Sequence, residues 1–214
     1  MRRVLSALVI AASVASPVWA NAISFDGGWT HQRFSLFSRN DYARKGGALD
    51  VSSDGSVSLL YRALPEQIWD ASGAKWAWQV SQTVPPTDLR LKGGDDRNLA
   101  LYFVFLPKAE AQRLKGTKIT RLLDNDAVRV LIYVWGGAHT RGAMLDSPYL
   151  GTRGKTVVLR GSGTGEAREA VDLQADYARA FGGPLTSLVG LAISGDSDDT
   201  DSRIAARISG LTLR

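Results

Sequence analysis

The sequence contains no cysteine and only two histidines. The first absence removes disulfide stapling, thiol nucleophiles and cysteine-based metal centres together. The second rules out a zinc site built on three histidines and leaves His31 and His139 as the only bases for a Ser-His-Asp arrangement. No GxSxG elbow, P-loop or HExxH occurs. No apolar run reaches the roughly 20 residues that a bilayer-spanning helix needs. Internal repeats, low-complexity linkers and shifts of composition are missing as well, so the chain reads as one unit.

What is present begins with an export pattern. Met1-Arg2-Arg3 is followed by an almost wholly apolar stretch from Val4 to Val14, and Pro17 then precedes Val18-Trp19-Ala20. Charged start, short apolar core and small residues at the end make residues 1–20 a secretory signal, expected to be cleaved after Ala20. The mature protein is then residues 21–214, without a membrane span, in the periplasm or secreted. The formal net charge is +5, two units of which, Arg2 and Arg3, leave with the signal. The remaining basic residues are scattered, which gives no electrostatic footprint for nucleic acid.

Short β-branched and aromatic runs separated by Gly, Asp, Asn and Ser clusters predict an all-β fold. Strands are expected over 34–37, 48–52, 57–64, 76–83, 99–106, 128–135, 156–160, 188–194 and 203–213. Ser53-Asp54-Gly55 is the clearest hairpin turn. Two short helices are expected, one after Pro107 over 108–115, the other capped by Asp172 with Leu173, Tyr177 and Phe181 on the face that docks. The pattern fits a two-sheet antiparallel β-sandwich of jelly-roll, galactose-binding-like form. Residues 99–106 are apolar on both parities, which demands a central strand with a cover on its outer face.

Three groups of residues suggest chemistry. Asp196, Asp198 and Asp199 lie in one acidic turn, where Ca²⁺ would relieve carboxylate repulsion, although no full EF-hand spacing is present. The plain alternative is a solvated turn held by Asx hydrogen bonds. Asp95 and Asp96, after Lys92-Gly93-Gly94, could face the same end of the sandwich, and Asp96-Arg97 offers a buried ion pair. The aromatic pairs Trp76/Trp78 and Tyr133/Trp135 each share a strand face, either as a platform for sugar rings or as core. With Asp95 and Asp96 they form the expected glycan site.

Five segments in fixed order resemble a family of exported bacterial proteins, domain-of-unknown-function family 3047. They are Trp76-Ala77-Trp78-Gln79-Val80, Lys92 to Asp96 leading into Leu101 to Phe105, Tyr133-Val134-Trp135-Gly136, Asp172 to Gly182, and Gly195 to Thr200. The likeness spans most of residues 24–214. It implies an exported single domain and no catalytic assignment, and its link to glycan-binding sandwiches is an analogy of fold. The leading expectation is a noncatalytic, carbohydrate-binding-like protein with Ca²⁺ at the acidic turn. One alternative is a polysaccharide hydrolase or lyase using the carboxylates, or His139 with Tyr133 and Arg141. The other is a structural or partner-binding envelope protein.

Overall fold

The computed structural model describes residues 21–36 and 38–214. The expected signal therefore lies outside the described residues. Strands β1 (Asn21–Ala22), β3 (Asp41–Lys45), β4 (Ala48–Asp54), β6 (Gly73–Gln82), β11 (Gly165–Asp172) and β13 (Arg203–Leu213) form one sheet, ordered β11-β6-β13-β4-β3 with β1 also on β13. The second sheet is ordered β2-β5-β12-β7-β8-β10-β9. Its strands are β2 (Thr30–Arg33), β5 (Ser58–Ala63), β7 (Arg97–Leu106), β8 (Arg129–Trp135), β9 (Met144–Ser147), β10 (Gly151–Arg160) and β12 (Ser187–Asp196). This is the predicted all-β, two-sheet sandwich.

The central prediction holds: β7 is the middle strand of its sheet and almost every residue on it is buried. Leu101, Phe103 and Phe105 point into the sandwich, where Phe103 meets Trp76 and Tyr133 at ring distances of 6.3 and 5.5 Å. Tyr102 and Val104 point to the opposite face by strand alternation. The helix expected after Asp172 is also present, over residues 173–181. Asp172 accepts a hydrogen bond from Ala175 N at 2.9 Å as its N-cap, and Leu173 and Tyr177 of α3 (Leu173–Phe181) are buried, Tyr177 against Phe105.

Three expectations change. Ser53-Asp54-Gly55 does turn, with Gly55 at φ +51°, but it joins β4 of one sheet to β5 of the other and is a crossover rather than a hairpin. The sheets are not wholly antiparallel, because β8 and β10 pair in parallel. The strand expected over 34–37 ends at Arg33, beyond which residues 34–36 bend. Besides Thr30–Arg33, four strands escaped the pattern: Asn21–Ala22, Asp41–Lys45, Met144–Ser147 and Gly165–Asp172. So did a helical turn, Ile119–Leu123, which follows α1 (Lys108–Arg113) and is here α2.

Candidate functional site

The outer face of the seven-stranded sheet is only partly covered. Leu59 of β5, Ala192 of β12, Val104 of β7 and Val130 and Ile132 of β8 form an aliphatic floor. Ile119 and Leu123 of α2 lie over it together with Pro148, Tyr149 and Leu150. The expected cover is thus supplied by α2 and this loop, not by either predicted helix. A cavity of about 380 Å³ remains between floor and cover, within the range of about 300–1,000 Å³ typical of sites for small organic ligands.

One end of the cavity is polar. Arg97 opens β7 and Asp196 closes β12, and these two residues are register partners, so the ladder itself brings the two expected acidic loops to one place. Arg97 Nη1 lies 2.6 Å from Asp95 Oδ2 and 3.2 Å from Asp196 Oδ2, with all three side chains at least nine-tenths buried. Arg97 Nη2 donates to Tyr102 Oη at 3.0 Å, and Tyr102 Oη meets Ser194 Oγ at 3.0 Å. Tyr149 Oη donates to Asp95 Oδ1 at 3.0 Å. Gly136 keeps the strand ends close, since a Cβ there would stand 2.7 Å from Arg97 Cα.

Asp196 differs from its neighbours. Its Oδ1 has no hydrogen-bond donor, although the residue is only 4% exposed and lines the cavity. Burial pushes its carboxyl up to about 9 against the pull of Arg97, helped by a hydrogen bond with Asp198 and by the charges of Asp95 and Asp198. A hydrogen bond between two carboxyls needs a shared proton, which adds to the upward shift that burial dominates. Arg97, although wholly buried, is held well above its ordinary value by Tyr102, Asp196 and Asp95. Asp199 is raised by burial and then by Asp96, Asp198 and Asp95.

The predicted site residues separate into three sets. Asp95, Asp196, Asp198 and Asp199 all line the cavity. Asp96 is fully buried and fastens the acidic turn: Oδ2 accepts from Thr200 N at 2.8 Å and from Thr200 Oγ1 at 2.5 Å, and Oδ1 accepts from Asp199 N at 3.3 Å. The aromatic platform is a correction. Trp76, Trp78, Tyr133 and Trp135 are 0–5% exposed and pack on one another inside the sandwich, because both strands turn those faces toward the opposite sheet. A ring sealed there cannot stack on a sugar.

The metal expectation shifts by one residue. Among the described residues, Asp96, Asp198 and Asp199 place one carboxylate oxygen each within 4.8 Å of one another, while Asp196 is turned to Arg97. Hard oxygen donors suit Ca²⁺, which takes six to eight of them, so this trio could supply part of a shell. The histidine route to catalysis is not assembled. His139 Nε2 lies 3.0 Å from Asp88 Oδ1, Arg141 binds Glu169, and Tyr133 Oη donates to Asp176.

The chain belongs to the family described as "Protein of unknown function (DUF3047)", whose model matches residues 19–212. No curated protein sequence matches it. Among solved structures it is similar to the xyloglucanase domain of NopAA from Sinorhizobium fredii in complex with cellobiose. That match has 8% identity and a TM-score of 0.45, over 88% of this chain and 92% of the other. A cellulase derived from Cel12A of Rhodothermus marinus gives 11% identity and 0.47, over 92% and 96%. The family 11 xylanase of Neocallimastix patriciarum gives 12% and 0.39, over 87% and 99%. Likeness at this level says nothing of activity, and the fold is read from the strand order given above.

Proposed function

We propose that the protein is an exported, noncatalytic binding protein that holds one small organic molecule in the cavity on the outer face of its seven-stranded sheet. The observation that carries this reading is Asp196 Oδ1, the only cavity-facing member of the buried, partnerless side-chain polar atoms among the described residues. A buried polar oxygen without a partner costs about 1–3 kcal/mol, which a hydrogen bond to a bound molecule would recover. An apolar enclosure with a few convergent polar groups is the usual form of such a site.

The export part of this reading rests on the signal-like pattern of residues 1–20, and a cysteine-free, core-stabilised sandwich is compatible with it. A glycan would find none of the four predicted platform rings in the cavity, since Trp76, Trp78, Tyr133 and Trp135 are sealed between the sheets. Ca²⁺ at Asp96, Asp198 and Asp199 would neutralise the acidic turn beside the ligand without contacting the aliphatic floor.

Thermal melting of the mature chain with a panel of neutral apolar compounds, alkylamines, fatty acids and oligosaccharides, each with Ca²⁺ or with EDTA, tests this. At least one panel compound should raise the Tm of the wild type and leave Ala192→Phe, which fills the cavity, unmoved. Equal shifts in both proteins, or none in either, would refute the cavity as the site. A Tm unaltered by Ca²⁺ and EDTA would remove the ion.

A further inference from the structure

The chemistry of the lining restricts what the cavity can take. Away from the acidic end the walls are mostly aliphatic, with Leu59, Val104, Ile119, Leu123, Val130 and Ile132 broken by the hydroxyls of Ser147 and Thr156. Such walls bury hydrocarbon and offer too few partners to a string of hydroxyl groups, most of which would lose their water without replacement. The body of the ligand is therefore apolar, and an unsubstituted oligosaccharide is excluded.

The polar end sets the charge of the head. Asp95, Asp196, Asp198 and Asp199 face the cavity there, and the one cation among them, Arg97, is already bound to Asp95 and Asp196. Four carboxyl groups of the lining thus face one guanidinium. A carboxylate or a phosphate on the ligand would add like charge beside them, and Asp196 Oδ1, buried without a hydrogen-bond partner, is open to a head group that bonds to it.

The mouth continues the apolar theme. Four large apolar side chains are strongly exposed among the described residues: Phe34, Leu36, Leu91 and Tyr149. Phe34 and Tyr149 line the cavity directly. Leu36 sits in the turn that Ser38 pins to the carbonyl of Val57, another lining residue, at 3.1 Å. Leu91 precedes Lys92, whose Nζ lies 5.5 Å from the centre of the Tyr149 ring. Scattered exposed apolar residues need no explanation, but Phe34 and Tyr149 lie together at one opening. They provide a surface for a chain that emerges from the cavity.

We infer that the ligand is an aliphatic amphiphile with a hydrogen-bond-donating, non-anionic head, an alcohol or an alkylammonium, seated head-first on Asp196 with its chain leaving past Phe34 and Tyr149. This deepens the proposed function and rests on it.

Competition against bound Nile red, a neutral apolar dye, with the mature chain in EDTA and probes below their micelle concentrations, separates the two. Decylamine and decanol should displace the dye, decanoate should need at least about tenfold more, and cellobiose should have no effect. Asp196→Asn, which cannot ionise against an ammonium, should weaken decylamine several-fold more than decanol and leave dye affinity within about twofold, a control that the variant is folded. Decanoate equal to or better than decylamine would overturn the head assignment. Displacement by cellobiose, with the decyl compounds silent, would overturn the amphiphile class while keeping the cavity as a site. A dye whose binding is the same in Ala192→Phe would refute the underlying function itself.

Discussion

At the scale of single residues, the polar end is an arrangement of charges that only burial makes unusual. Arg97 donates to Asp95, Asp196 and Tyr102, so its desolvation is offset by three neighbours. Asp196 is the exception, since one oxygen is left open and the folded chain holds its proton up to about pH 9. An unfolded Asp releases its proton near 3.8. Between those values the folded state binds the extra proton, so stability contributed by this group falls as pH rises and levels off above the folded value. Denaturant unfolding of the wild type between about pH 5 and about pH 8 should lose stability relative to Asp196→Asn, which has no proton to release. Parallel pH curves for the two proteins would contradict the burial and sharing assigned to Asp196.

At the scale of elements, local chemistry decides most of what the sequence made legible. The α3 cap is an example: Asp172 accepts from Ala175 N, and Gly182 ends the helix at φ +71°. Asp172→Ala should cost about 1 kcal/mol in denaturant unfolding, with ligand binding unchanged because α3 does not line the cavity. A loss under a few tenths would show that tertiary packing alone holds the helix. Strands with apolar alternation, such as 76–82 and 203–213, could be read directly. Asp41–Lys45 and Gly165–Asp172 could not, because both are edge strands with mostly polar, exposed side chains and take their conformation from a neighbour. α2 is a single turn whose Ile119 and Leu123 are too few to give a helical period.

For the whole molecule, the arrangement of sheets decides which expectations survive. Residues 99–106 announced a strand buried on both faces, and the structure has it at the centre of the second sheet. What that pattern could not convey is that the cover on the outer face stops short and leaves a cavity. The acidic turns were visible as sequence, and their meeting depends on the antiparallel pairing of β7 with β12, which no local signal encodes. Alternation of Trp76 and Trp78 marked a face correctly but not which side of the sheet it turns to. That side depends on β6 belonging to the first sheet, whose aromatic face meets Phe103, Tyr133 and Trp135 of the second. The Ser53-Asp54-Gly55 turn shows the same limit, since a tight turn fixes direction and not sheet membership.

The central claim is that one enclosed, aliphatic cavity binds one molecule. Equilibrium titration of the mature protein with Nile red, followed by fluorescence, tests it most directly. The account predicts saturable enhancement at one dye per chain in the wild type and its loss in Ala192→Phe at unchanged melting temperature. Unsaturable enhancement, or a saturable signal that survives Ala192→Phe, would contradict it.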